Sequence, residues 1–213
     1  MKRALMLATA LLLAGCISLL PKAPPPPRTF MLTAGDIARV EGAPVDAVVA
    51  VALPTGERAL LGTDMVWSTG DEVAYVGHTQ WSAHGDDALQ AMLVETISRQ
   101  GRFRAAGRTG ETAAQYEIRW EVLNFQVDNA SMNARFRADV KLTQAPGRQV
   151  LAQEIIEASA PVAGRSQTNA AAALTQAARE GAARISLFAA DAAGQAEAAR
   201  AALQQSQAQS QAH

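Results

Sequence analysis

Alternation of apolar and polar side chains predicts the strands of this chain. The clearest example runs from Met132 to Leu142, where apolar residues alternate with polar or charged ones. Successive side chains of a strand point to opposite faces, so this pattern is typical of a strand with one buried and one solvated face. Pro146 and Gly147 then indicate a turn, and Val150 to Ala158 reads as the returning strand.

The run before this strand changes parity in its middle. Apolar residues share one face from Tyr116 to Val122, whereas Leu123, Phe125 and Val127 have the opposite parity. We predict a β-bulge between Val122 and Leu123, because one extra residue there would return the second group to the face of the first.

Further strands are indicated closer to the N-terminus and after the first helix. A β-branched apolar run that ends at Pro54 is typical of a strand buried on both faces, and alternation around Gly70 predicts a hairpin. The predicted segments are Thr29–Thr33, Val45–Leu53, the hairpin from Met65 to Tyr75, and a strand that starts at Phe103.

Helical spacing of apolar residues appears twice. Leu89, Met92, Leu93 and Ile97 share one face, with Asp86 or Asp87 as the expected N-cap and Gly101 as the stop. A second helix is predicted from 169 to 190, where small residues would allow close approach to a sheet; its stripe is Leu174, Ala178, Gly181, Ile185 and Phe188.

These elements predict a single α+β domain over residues 29–190, with a mainly antiparallel β-sheet packed against two α-helices. Residues 191–213 consist mostly of Ala, Gln, Glu, Arg and Ser. Their helix propensity is high, but they have no stripe of large apolar residues with which to dock. We therefore expect a disordered tail there.

The N-terminus has the features of a signal peptide. Lys2 and Arg3 precede a short apolar run, and residues 13–16 (Leu-Ala-Gly-Cys) resemble a bacterial lipobox. We expect residues 1–15 to be removed and Cys16 to be the lipid attachment site, with Ile17 favouring the outer over the inner membrane. Two alternatives are an ordinary secretory signal with a chance cysteine and a free buried thiol.

Residues 16–28 would then form an acylated N-terminus and a proline-rich linker. Pro21 and Pro24–Pro27 favour a polyproline II path of about 3.1 Å per residue, which would span roughly 35 to 40 Å. We interpret this segment as a spacer between the membrane and the domain. A proline-rich ligand for a partner is the alternative.

The remaining composition points away from catalysis. A net charge of −1 does not indicate a nucleic-acid partner. Cys16 is the only cysteine, and His78 and His84 lie in no metal-binding or catalytic motif. Asp86 and Asp87 are better explained as helix-start residues than as a catalytic pair. We therefore predict no enzyme activity, no cofactor and no metal.

Aromatic residues are the other candidates for a functional role. Trp67, Trp81 and Trp120 lie in or beside predicted strands, where packing in the core is the default explanation. Contact with a partner or with lipid is the alternative, because tryptophan suits surfaces that are apolar on one side and wet on the other. For this role we name Trp67, Tyr75 and Trp81.

Several stretches together resemble the ABC-type transport auxiliary lipoprotein family, to which the paraquat-inducible outer-membrane lipoprotein belongs. The resemblance covers roughly residues 14–190 and is most specific from 59 to 103. Phe30-Met31 stands where the family usually has a tyrosine pair. The stretches are the lipobox at Cys16, Arg28–Leu32, Val48–Pro54, Ala59–Ser68, Val73–Tyr75, Trp81, Leu89–Arg99 and Gly101–Phe103.

The resemblance implies a membrane-anchored, non-catalytic docking subunit at the periplasmic side of the outer membrane. Its partners would be an ABC permease and ATPase and mammalian-cell-entry (MCE) proteins that move phospholipid or other hydrophobic molecules. Phospholipid is also a candidate ligand of the domain itself. Whether the domain forms a homo-oligomer stays open. The alternative function is a structural or outer-membrane-assembly lipoprotein without a transporter.

Overall fold

Nine strands and three helices make up the described part of the chain, residues 25–211 of a computed structural model. Residues 1–15, Cys16 and the first part of the linker lie outside the described residues. The elements are β1 (Arg28–Phe30), β2 (Val45–Val51), β3 (Thr55–Gly56), α1 (Arg58–Leu61), β4 (Asp64–Thr69), β5 (Glu72–Trp81), α2 (Gly85–Gln100), β6 (Phe103–Arg108), β7 (Tyr116–Asp128), β8 (Asn133–Gln144), β9 (Gln149–Pro161) and α3 (Gln167–Gln211).

The three longest strands, β7, β8 and β9, form antiparallel ladders as the alternation predicted. The predicted bulge is confirmed, because the register of β7 against β8 shifts between Val122 and Asn124. Phe125 and Val127 are consequently buried on the same face as Val122, and Leu123 stays partly exposed. The irregularity thus keeps the apolar residues of a long strand on the core side.

The opposite edge of β7 is shared by three strands placed end to end. β2, β3 and β4 all pair with β7 in parallel, β6 extends the sheet from β2, and β5 and β1 extend it from β4. The α+β class is confirmed, but the sheet is mixed. The expectation of mainly antiparallel pairing missed these neighbours, since alternation along a strand does not reveal which strand lies beside it.

Helix α2 begins slightly before the expected cap. His84 is the N-cap residue, and Asp86 and Asp87 lie in the first turn, where their charge complements the helix dipole. The predicted stop at Gly101 is confirmed: its φ of 72° is left-handed, and its N–H donates to the carbonyl of Ile97. The short helix α1 was not predicted, so the described residues contain three helices instead of two.

Helix α3 is longer than predicted and corrects the expectation of a disordered tail. It continues to Gln211, with Ala193 buried and the side chain of Glu197 bonded to Tyr116. Once the first part of a helix is docked, further alanine-rich turns extend it without a new nucleation cost. The domain therefore reaches past residue 190, and the helix from 198 onward is exposed.

The segment between β1 and β2 lies across the two long helices. Its carbonyls accept hydrogen bonds from three arginines: Arg179 bonds Thr33 at 2.7 Å, Arg99 bonds Gly35 at 2.9 Å, and Arg102 bonds Ala43 at 3.0 Å. These contacts satisfy backbone groups that no strand partner covers. They also fix the path by which the N-terminal chain enters the domain.

Candidate functional site: the hairpin cleft

The β4–β5 hairpin leaves large apolar side chains in solvent. Its turn is at Gly70, as predicted, with a φ of 60° that favours glycine. Val73 and Tyr75 follow on β5 and are 50% and 57% exposed, although they lie opposite the buried residues Ser68 and Val66 on β4. Apolar side chains this exposed on neighbouring positions are candidates for a contact surface.

A cleft of about 410 Å³ separates the other face of this hairpin from the loop before α3. We call it the hairpin cleft. Half-buried Trp67 and Val76 and the exposed Ala74 form its apolar wall, and Arg165 and Gln167 form part of its polar side. Apolar walls with a few convergent polar groups are common in binding clefts.

Two side-chain hydrogen bonds hold the hairpin against its neighbours. The Gln167 amide donates to the carbonyl of Gly77 at 2.6 Å, and Asn129 donates to Thr69 Oγ1 at 3.2 Å. The first bond ties β5 to the start of α3, and the second ties the end of β4 to the turn after β7. The hairpin is therefore positioned by contacts at both of its ends.

Trp81 does not lie at this site. Its side chain is 2% exposed and stacks on Phe125 with ring centroids 6.0 Å apart. The hypothesis that Trp81 contacts a partner is corrected on this ground, and Trp81 is a core residue. Trp120 is also buried, and its indole N–H donates to the carbonyl of Ala52 at 2.9 Å. Trp67 and Tyr75 remain candidate contacts.

A larger and more polar cleft of about 650 Å³ lies along β8, β9 and α3. Three arginines line it, and each is paired with a carboxylate: Arg135 with Asp128 at 2.7 Å, Arg137 with Glu157 at 2.8 Å, and Arg184 with Glu180 at 2.7 Å. An anion would have to compete with these carboxylates. Sequence reasoning had missed this cleft, and its balanced charge makes it the weaker candidate.

Within residues 25–211, the pKa values of Asp128 and Tyr116 are shifted by structural contacts away from the apolar wall of the hairpin cleft. The N–H and hydroxyl of Ser131, together with the N–H of Ala130, stabilise the Asp128 carboxylate and lower its pKa. Burial raises the pKa of Tyr116, and its hydrogen bond to Glu197 acts in the same direction. Asp128 thereby secures the turn between β7 and β8, and Tyr116 secures the far part of α3.

Residues 25–211 offer no cluster of three His, Cys, Asp or Glu side chains that could share a metal ion. In the same part of the chain, no helix combines the length and apolarity needed to cross a membrane. His78 has a left-handed φ of 54° within β5, and His84 occupies the N-cap position of α2 without a side-chain hydrogen bond to the helix.

Fold and site together define an α+β domain with a surface cleft at one end of a mixed sheet. The chain belongs to the family described as the ABC-type transport auxiliary lipoprotein component, whose family model matches residues 31–186. This confirms the resemblance seen in the sequence. Among curated proteins, no sequence is significantly similar to this chain.

Two of the solved structures that align with this chain share its fold at low sequence identity, and a third aligns more weakly. Protein XCC0632 from Xanthomonas campestris aligns with a TM-score of 0.74 and 18% identity, over 79% of this chain and 98% of that protein. A protein whose structure is described as uncharacterized aligns with a TM-score of 0.62 and 13% identity, over 77% and 99% of the two chains. A PelC dodecamer from Paraburkholderia phytofirmans aligns with a TM-score of 0.43 and 11% identity, over 72% and 92%.

Proposed function

We propose that this lipoprotein is a non-catalytic docking subunit of an ABC/MCE-type transporter that moves phospholipid or another hydrophobic molecule through the cell envelope. The family match carries this proposal, because it identifies a transport auxiliary component. The exposed hairpin beside the hairpin cleft supports it, since a docking subunit needs a surface to offer its partner.

In this proposal Cys16 is acylated and the domain faces the periplasm from the outer membrane. Several acyl chains on one residue hold a protein stably, because each buried methylene contributes about 0.8 kcal/mol. Residues 25–27 are exposed and lead directly into β1, as expected for the end of a spacer. The proline-rich segment would set the height of the hairpin above the lipid surface.

Affinity purification of the full-length, tagged lipoprotein from detergent-solubilised membranes tests this function. We expect an MCE protein and the ABC permease and ATPase to co-purify and to be identified by mass spectrometry. Recovery of peptidoglycan or assembly factors without any transporter subunit would instead support the structural-lipoprotein function.

The anchor is tested separately with Cys16→Ser. We expect this variant to leave the outer-membrane fraction and to fail to complement a deletion of the gene. A variant that stayed in that fraction and complemented fully would contradict the role of Cys16.

A lipid-carrier function has less support. The hairpin cleft and the larger polar cleft both lie at the surface, and the core strands and helices pack through side chains that are almost fully buried. Lipid extraction from the purified full-length protein measures this directly. Stoichiometric phospholipid in the extract would favour the carrier over the docking subunit.

A further inference from the structure

Among the longer strands of the described sheet, β5, β6 and β9 each have an edge that is at least partly without a strand partner, and their sequences differ. β6 carries Arg104 and Arg108, and β9 carries Glu154 and Glu157. Charged residues on an edge strand discourage pairing with other chains. β5 has no charged residue from Val73 to Gly77, and the valine and tyrosine residues in this stretch favour strand formation. Its edge is the one without this protection.

The described chain covers only the far end of that edge. β1 pairs in parallel with Thr79–Trp81 and stops at Arg28. Continued backwards in the same register, the chain would bring Pro27 opposite His78 and Pro26 opposite Gly77. Proline has no N–H to donate, so the ladder cannot continue. The edge from Glu72 to Gly77 therefore has no strand partner among residues 25–211, although the carbonyl of Gly77 already accepts the hydrogen bond from Gln167.

The hairpin cleft beside this edge offers both an apolar wall and a positive charge. Trp67 and Val76 are half-buried, so a side chain that covered them would remove apolar surface from water. Arg165 is exposed and makes no ion pair within the described residues, unlike the arginines of the larger polar cleft. A carboxylate is the group that best complements a guanidinium.

We propose that the edge of β5 from Glu72 to Gly77 binds an extended peptide segment of a transporter subunit, which adds a strand to the sheet. An apolar side chain of that segment enters the hairpin cleft against Trp67, and an acidic side chain pairs with Arg165. This inference rests on the proposed function and names the partner's contact. Backbone hydrogen bonds supply affinity, while the cleft supplies side-chain specificity.

A lipid surface fits the same site less well. The hairpin turn carries the exposed carboxylates Asp71 and Glu72, which repel anionic headgroups at the point that would enter the interface first. A strand partner avoids this contact because it lies along the edge of β5 and not beyond the turn. The observations therefore favour a polypeptide over a membrane.

The test measures binding of the full-length lipoprotein, in detergent micelles, to the periplasmic domain of the MCE-type subunit identified by the affinity purification. The double variant Val73→Lys/Tyr75→Lys places charges along the edge of β5. Val150→Lys/Ile155→Lys is the matched control, because it places equal charges on residues of β9 that are 51% and 47% exposed. We expect at least a tenfold loss of affinity for the β5 variant and less than a twofold change for the control.

Amide hydrogen exchange provides a backbone readout on the same proteins. In the complex, exchange of the fast amides between Glu72 and Gly77 should slow at least tenfold, and the edge of β9 should be unaffected. Arg165→Glu should weaken binding at least fivefold, whereas Arg165→Lys should retain most of it.

The outcomes separate the two proposals. Binding that persists in the β5 variant, or a complex without slowed exchange at 72–77, overturns the docking strand and leaves the transporter function standing. Slow exchange at 72–77 already in the free lipoprotein also overturns it, because the edge would then be covered. Absence of any binding by the wild-type protein overturns both, and binding to anionic vesicles that the β5 variant abolishes would make the site a membrane contact.

Discussion

The β4–β5 hairpin and the β7–β8–β9 ladder are both antiparallel, but their exposed surfaces differ. On the ladder, charged side chains pair with one another, as Arg137 does with Glu157 and Lys141 with Asp139. On the hairpin, Val73 and Tyr75 face solvent beside an uncharged edge. The ladder also exposes Val150 and Ile155, so the difference lies in the surrounding charges: the ladder has paired charged side chains, and the hairpin has an uncharged edge from Val73 to Gly77. If the docking proposed for β5 holds, stability and recognition depend on different parts of one sheet.

Aromatic truncation should reveal this difference most strongly. Trp81→Ala removes a buried ring that stacks on Phe125, and large-to-small changes of this kind cost about 3–5 kcal/mol. Tyr75→Ala removes a side chain that is 57% exposed and should change the free energy of unfolding by no more than about 0.5 kcal/mol. Urea denaturation of both variants measures the contrast. Equal losses would mean that the hairpin is part of the core.

Close packing of α3 on the ladder gives the next largest effect. A Cβ at Gly181 would overlap the ring of Phe136, so Gly181→Ala should destabilise the domain by about 1–3 kcal/mol. Gly194 lies in the same helix with open space around its Cβ position. Gly194→Ala should therefore stabilise the helix by up to about 1 kcal/mol. Opposite signs in thermal unfolding would confirm that α3 packs closely on Phe136 at Gly181 and has free space at Gly194.

Tyr116 should determine how firmly the second half of α3 is held. Its hydroxyl donates to Glu197 at 2.5 Å, and Tyr116→Phe should cost about 1–2 kcal/mol and speed amide exchange around Glu197. Because the folded-state pKa of Tyr116 is raised above its usual 10.0, this contribution is complete below about pH 10 and is lost as the pH rises through the raised value. A variant that followed the wild-type stability profile between pH 7 and 11 would contradict this role.

Asp128 should produce the smallest effect, at the turn that closes the ladder. Its folded-state pKa lies below its ordinary value of 3.8, so its contribution is present above that pH and is lost as the pH falls through the lowered pKa. Asp128→Asn should be less stable than the wild type at pH 7 and equal to it in acid. Asp46→Asn is the control, because it removes only an exposed ion pair with Arg104. A pH-independent deficit would point to lost packing instead.

Local features of the fold were predictable because their causes are local. The bulge after Val122 follows from a change of parity within one strand, and the end of α2 follows from one glycine. The parallel neighbours of β7 were not predictable, since they depend on which segments meet after folding. The end of α3 was missed because alanine-rich sequence has the same composition in a docked helix and in a free tail.

The candidate site was only half predictable for a related reason. Tyr75 and Trp81 have the same parity, so a regular strand would place both on one face. Instead, between the pairs Val66–Tyr75 and Asp64–Gln80, β5 contains more residues than β4, and the excess is an odd number. An odd excess moves the later side chains of β5 to the opposite face. Consequently, the ring of Tyr75 lies in solvent and the ring of Trp81 lies in the core. Sequence alternation alone contains no sign of this irregularity.

The parallel pairing of β1 with β5 has a mechanical consequence. Tension on the chain before Arg28 acts along the axis of β1, so the bonds from Arg28 to Phe30 are stretched together in shear and are not unzipped one by one. Beyond Phe30, the hydrogen bonds from Arg179 to Thr33 and from Arg99 to Gly35 would transmit the remaining tension to the helices. A pull from the membrane would therefore reach the hairpin strand before it reached the core.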